Sequence, residues 1–148
     1  MPELPPDIEE FNTIAGLIFA QLYRAFPLRV QQIDRQSIAA VMGVGSDPSV
    51  KLKSGRSFAE VVGSTVAWLI DENFVLSRGL AGEGATLSER GLAALHAVPP
   101  GLKQSLGSEL AEAADADSSS GAPARIAELA GSLLGSFTGS LTKSFNAG

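Results

Sequence analysis

Reactive side chains are scarce in this sequence. The 148 residues include no cysteine, one histidine, one tryptophan and one tyrosine. The lack of cysteine excludes disulfides, thiolate metal sites and thiol nucleophiles. A lone histidine without a second histidine or a carboxylate cluster supports neither a metal site nor a histidine-based relay. We therefore interpret His96 as a structural residue near the end of a helix, where a partly charged imidazole suits the helix dipole.

Motifs of catalysis and nucleotide binding are missing as well. The glycine-rich stretches "GVGSDPS" at 43–49 and "GLAGEG" at 79–84 do not match the G-x-x-x-x-G-K-[ST] phosphate-binding loop. The nucleophile motif G-x-S-x-G does not occur either. We expect no cofactor, no bound metal and no enzymatic activity.

The sequence also lacks a targeting or membrane-spanning pattern. Its acidic start, "MPELPPDIEEF", has no cationic residue ahead of an apolar run, as a secretory signal requires. The longest apolar helical stretch, "TIAGLIFAQLYRAF", contains Gln21 and Arg24 and is too short to span a bilayer. The expectation is a soluble cytoplasmic protein with one domain, a real core and appendages.

Acidic and basic residues are unevenly distributed along the chain, whose net charge is −5. Residues 24–56 contain six basic and two acidic residues, whereas residues 57–77 contain three acidic residues and no basic one. The overall negative charge argues against a large nucleic-acid footprint. The basic segment is a candidate for contacts with phosphate or an acidic partner, or a set of solubilising loop charges. Its candidate contact residues are Arg35, Lys51, Lys53 and Arg56.

Hydrophobic spacing predicts five helices ahead of residue 115. The first spans 8–26, the second and third carry "RQSIAAVMG" and "FAEVVGSTVAWLIDE", and the fifth spans roughly 101–114. A β-hairpin around "GLAGEG" precedes the fourth helix. Residues suited to capping stand at the helix ends. They are Asp7, Asp34, Ser57 and Ser88 at the N-termini, and Gly43 and Asn73 at the C-termini.

The third helix is apolar over most of its circumference. This pattern predicts that Trp68 is largely buried and that Val61 widens the buried side. Four residues at helical spacing form the expected buried face, and four others form the opposite, acidic face. The buried set is Phe58, Val62, Val66 and Leu69, and the opposite set is Glu60, Ser64, Ala67 and Asp71.

Two strings accompany the predicted order of helix, short strand, helix, helix, hairpin, helix. "TVAWLIDENFVLSR" resembles a winged-helix third helix entering its wing, and "ATLSERGLAAL" is similar to the segment that leaves the wing in bacterial regulators. Over residues 8–98 the chain thus resembles the winged helix-turn-helix family. This resemblance implies a mainly α fold with a small β-hairpin wing and a DNA-binding third helix. One departure is the connection at 43–56, because a helix-turn-helix turn has three or four residues.

The C-terminal segment has a four-residue period. Residues 115–124, "DADSSSGAPA", have the composition of a flexible linker. In 125–148, glycines and serines recur opposite an apolar ridge, so an isolated helix would be marginal. The ridge consists of Leu129, Leu133, Phe137, Leu141 and Phe145.

This ridge suggests docking onto a protein partner or a second copy of the chain. The alternatives are a lipid surface, as in amphipathic lipid-packing sensors, and packing on its own domain. The fifth helix, Phe19 and Tyr23 are candidate receivers within the chain. Under the docking hypothesis, deleting 124–148 leaves the fold intact.

Together these patterns predict a winged-helix domain at 1–114, a linker at 115–124 and an amphipathic C-terminal helix at 125–148. The acidic face of the third helix would repel phosphate and offers little base readout. We therefore expect a non-enzymatic protein-interaction module, an adaptor or small regulatory subunit. The alternative is a DNA-binding transcriptional regulator.

Overall fold

The fold was analysed in a computed structural model that describes residues 6–45, 47, 49–78, 83–115 and 121–147, apart from the side chains of residue 6 and of 135–147. The chain is mainly helical with a small antiparallel hairpin, which confirms the predicted fold class. The elements are α1 (Pro6–Ala25), α2 (Arg35–Met42), α3 (Phe58–Asp71), β1 (Val75–Leu76), β2 (Thr86–Leu87), α4 (Glu89–His96), α5 (Leu106–Asp115) and α6 (Ala122–Ala147).

Side-chain caps set several of the helix ends, as predicted, whereas Asp7 lies within the first turn of α1 instead of capping it. Asp34, Ser57 and Ser88 each accept a hydrogen bond from the backbone N–H three residues later, at the starts of α2, α3 and α4. Gly43 ends α2 with a left-handed φ of 73°. The C-terminal cap of α3 is Glu72 and not Asn73, which follows it with a left-handed φ of 64°, a conformation that asparagine tolerates better than most residues.

The hairpin pairs Val75 with Leu87 and Leu76 with Thr86. An isolated antiparallel bridge between Val30 and Ala85 adds one rung from the segment after α1. The short strand predicted between the first and second helices is therefore reduced to a single bridge within the described part of the chain.

Helix α1 lies at the centre of the molecule. Residues 12–20 are all buried, because α2, α3, α5, α6 and β2 each contact this helix. A helix that is surrounded in this way has no solvent face and reads as nearly continuously apolar. Its core side chains include Ile14, Ile18, Phe19 and Leu22.

Helix α6 belongs to the same core, which differs from the predicted division of the chain. Ile126, Leu129 and Leu133 are at most 3% exposed. A Cβ atom at Gly16 of α1 would lie 2.6 Å from Ile126 Cγ2, so the two helices can approach this closely only because residue 16 is glycine. Up to Leu134, the segment expected to be tethered packs on its own domain.

Helix α5 starts five residues later than predicted. Pro99 and Pro100 are followed by Gly101, whose φ of 85° is left-handed, and the Leu102 N–H donates to the Pro99 carbonyl in a turn. The chain therefore turns over 99–102 instead of starting a helix.

Candidate interaction surface on the third helix

The outward face of α3 consists of the four residues that the sequence predicts. Glu60, Ser64, Ala67 and Asp71 are exposed, whereas Phe58, Val62, Val66 and Leu69 are buried. The helix contains two acidic residues and no basic one. In the described structure, the outward face of α3 is therefore acidic.

The prediction that Trp68 is largely buried is wrong, because 37% of the residue is exposed. Its ring packs edge-on against Phe11 of α1, with centroids 5.1 Å apart, and stacks on Phe74 at 6.2 Å. Trp68 follows Ser64 by four residues, so the two lie on the same side of the helix. That spacing was the signal for partial exposure, and the abundance of apolar residues in α3 obscured it.

A groove of about 380 Å³ runs between the start of α1 and the outer side of α3. We call it the Trp68 groove. Its polar rim includes the ion pair between Asp7 and Arg56, whose closest charged atoms are 3.9 Å apart. Both partners are well exposed, so the pair contributes little to stability. The groove is lined by Asp7, Phe11, Arg56, Glu60, Val61, Ser64, Thr65 and Trp68. Sequence reasoning missed Phe11 as a surface residue.

The predicted basic residues do not form one patch. Lys51, Lys53 and Arg56 lie on a tight turn closed by the bridge between residues 51 and 57. Lys53 and Arg56 line a small pocket together with Asp7. Arg35 is the first residue of α2 and lines a different cleft, which Asp34 and Glu83 also line. Acidic neighbours therefore partly compensate the basic residues of both pockets.

Glu10 holds this basic turn against α1. Its carboxylate Oε2 accepts a hydrogen bond from the Ser54 N–H at 3.1 Å, and the residue is only 7% exposed. This turn, within the connection between α2 and α3, is thus fixed to the first helix. Its position next to the Trp68 groove follows from this contact and from the Asp7–Arg56 pair.

The expected docking ridge is divided between covered and undescribed side chains. Leu129 and Leu133 are buried in the core, so they are not free to dock. Phe137, Leu141 and Phe145 lie outside the described side chains, and self-association or partner capture through them stays a prediction.

The receivers suggested for this ridge are also occupied. Phe19 is fully buried, and Tyr23 packs over Gly107 of α5 and edge-on against His96, with ring centroids 6.1 Å apart. His96 thus contacts an aromatic ring at the end of α4, beside the core.

The described residues contain no group of three or more histidine, cysteine, aspartate or glutamate side chains placed to hold a metal ion. Within the same residues, every helix is too short or too polar to cross a membrane. Hydrogen bonds from the Ser37 side chain and backbone lower the pKa of Asp34, which caps α2.

Comparisons of the chain with protein-family models, with curated proteins and with solved structures found no match. The winged-helix resemblance therefore depends only on the chain's own element order and motifs.

Proposed function

We propose that this chain is a non-enzymatic protein-interaction module of winged-helix type that binds its partner through α3. The observation that carries the proposal is the outward face of this helix, where exposed Trp68 borders a groove and Glu60 and Asp71 are exposed. Exposed aromatic side chains are enriched at protein interfaces. The two carboxylates would oppose a phosphate backbone.

The order of the elements supports the winged-helix part of the proposal. Helix, bridge, helix, helix, hairpin and helix follow one another, and the bridge between Val30 and Ala85 adds a third segment to the sheet. The 15-residue connection between α2 and α3 departs from a helix-turn-helix turn. We infer that it shapes the groove instead of placing α3 in DNA.

Affinity capture from the source cell with a blocked groove tests this function. Ser64→Arg inserts a long side chain at an exposed groove position, and Ser132→Arg makes the same change at an exposed position of α6. We expect wild type and Ser132→Arg to retain the same partner and Ser64→Arg to lose it. Identical capture by all three proteins would contradict the proposal.

The second candidate is a DNA-binding transcriptional regulator, favoured by the element order and by the exposed Lys51, Lys53 and Arg56. Fluorescence anisotropy with random and genomic upstream duplexes distinguishes it from the interaction module. We expect binding no tighter than roughly 10⁻⁴–10⁻⁶ M at physiological salt, the range of non-specific contacts. A salt-tolerant nanomolar complex would favour the regulator.

A further inference from the structure

We propose that the Trp68 groove binds an amphipathic helix of a partner protein, with an apolar side chain packed against Phe11 and Trp68 and basic side chains over Glu60 and Asp71. This inference rests on the proposed function and adds the chemistry of the partner. Helix-in-groove binding is a common mode of peptide recognition, read out by anchors at helical spacing.

The apolar part of the groove has the form of a seat for one side chain. Phe11 and Trp68 meet edge-to-face, and Val61 lies beside them with its side chain half-buried. Thr65 is buried and donates its hydroxyl to the Val61 carbonyl at 2.7 Å, so it presents no free donor to the groove. An aliphatic side chain placed here would cover exposed aromatic surface without burying an unpaired donor.

The charges on the outward face of α3 favour a cationic partner. Glu60 and Asp71 are exposed on the same face of α3, eleven residues apart, which is about 16 Å along the helix. Of the described residues that line the groove, Arg56 is the only basic one, and it pairs with Asp7. Lysine or arginine residues on a partner helix of about three turns would face Glu60 and Asp71, whereas acidic residues would be repelled.

Two synthetic helices test the charge preference. Each has 14 residues with leucine at positions 4, 7, 8 and 11, and the remaining positions are mainly lysine in one peptide and mainly glutamate in the other. The chain has a single tryptophan, so Trp68 fluorescence reports binding at the groove directly. We expect the lysine peptide to shift the emission to the blue, saturably, and to bind about tenfold more tightly than the glutamate peptide at low salt.

Charge-reversal variants locate the contact. Glu60→Lys and Asp71→Lys should each weaken binding of the lysine peptide about twofold to fivefold, the range of exposed ion pairs. The matched control is Glu128→Lys on α6, also at an exposed position, which should leave affinity unchanged. Asp71→Lys places a cation at the C-terminal end of α3, which the helix dipole favours, so this variant should keep its fold.

The outcomes separate the two proposals. Equal binding of both peptides at Trp68 would overturn the cationic partner and leave the interaction module intact. A response to Glu128→Lys as large as the response to Glu60→Lys would place the contact elsewhere and overturn the groove assignment. If the Trp68 emission shifted without peptide, and more strongly at higher protein concentration, the occupant of the groove would be a second copy of this chain. No peptide binding, together with a nanomolar duplex complex, would contradict both proposals.

Discussion

At the scale of single residues, Trp68 is the central residue of the proposed interaction surface. It contributes less to the stability of the fold than its buried aromatic neighbour. It is 37% exposed, whereas its stacking partner Phe74 is 1% exposed. Phe74 contacts Phe19 inside the core, and the Arg90 guanidinium lies 4.5 Å from its ring centroid. The contacting rings of Phe19, Phe74 and Trp68 thus lead from the core to the groove. Because their exposure differs, they contribute unequally to the free energy of unfolding.

This gradient predicts unequal costs of truncation. Phe74→Ala should lower the free energy of unfolding by about 3–5 kcal/mol, the range for a buried aromatic residue. Trp68→Ala should cost about 2 kcal/mol, because part of its surface is already in water. Urea unfolding followed by far-UV circular dichroism measures both losses without relying on the removed fluorophore. Equal losses would mean that Trp68 is buried after all.

Substitution of two glycines by alanine should change the stability of the fold in opposite directions. A Cβ atom at Gly91, near the start of α4, would clash with the carbonyl oxygen of Phe74, the residue just ahead of β1. Gly91→Ala should therefore cost about 2–3 kcal/mol or more, as overpacking does. Gly63→Ala meets no atom and should stabilise α3 by about 1 kcal/mol. Urea unfolding of both variants measures these changes. A higher free energy of unfolding for Gly91→Ala would contradict the close approach of residue 91 to the Phe74 backbone.

At the scale of elements, the helix α2 has a pH-dependent cap. Asp34 accepts hydrogen bonds from the Ser37 hydroxyl at 2.7 Å and from the Ser37 N–H at 3.1 Å. The side-chain bond is the larger cause of its lowered pKa, followed by the backbone bond, and both outweigh desolvation. Because the pKa in the folded state lies below the ordinary value of 3.8, ionised Asp34 stabilises the fold at neutral pH.

The stabilisation by Asp34 should be fully present above its unfolded pKa and lost as the pH falls through the lower, folded pKa. Asp34→Asn keeps a capping side chain without this titration, and Asp34→Ala removes the cap at a cost of about 0.5–2 kcal/mol. We expect the difference in unfolding free energy between wild type and Asp34→Asn to shift against wild type below about pH 4, by under 1 kcal/mol because the site is exposed. A difference that stays constant with pH would contradict this assignment.

Local signals in the sequence were sufficient for most elements and not for their assembly. Asp34, Ser57 and Ser88 could be identified as caps because capping depends on neighbours within three residues. The turn at 99–102 was missed because Gly101 reads as a permissive helix start until its left-handed conformation is known. The partial exposure of Trp68 had a local signal in its spacing from Ser64. The contact of its ring with Phe11 depends on the packing of α1 on α3, which no local pattern contains.

At the scale of the whole molecule, the described residues form one core with side chains from each of α1 to α6, and α6 contributes several of them. Ile126 and Leu133 are at most 1% exposed, and Ala130 is completely buried. The four-residue period of the tail could not reveal this, because a docking ridge has the same sequence whether its receiver is another chain or its own α1. The glycine that admits α6, Gly16, lies more than 100 residues away in the sequence.

The core therefore reverses the expectation that residues 124–148 can be deleted without harm. That deletion removes Ile126, Leu129 and Leu133 and uncovers one side of α1. Each such loss costs about 2–5 kcal/mol, and a domain of this size is stable by only about 5–15 kcal/mol. We expect the shortened protein to be largely unfolded by far-UV circular dichroism and to lack a cooperative urea transition.

A shorter C-terminal deletion is the control for the deletion of residues 124–148. Removing residues 135–148 keeps every side chain of α6 that is described as buried, from Ala122 to Leu134. This protein should unfold cooperatively with a midpoint close to that of the full chain, and light scattering on the two proteins then tests whether Phe137, Leu141 and Phe145 mediate self-association. A loss of mass from oligomer to monomer would support the docking role of those three residues alone. A folded, cooperative protein after deletion of 124–148 would show instead that α1 does not need α6, and the single-core description would be wrong.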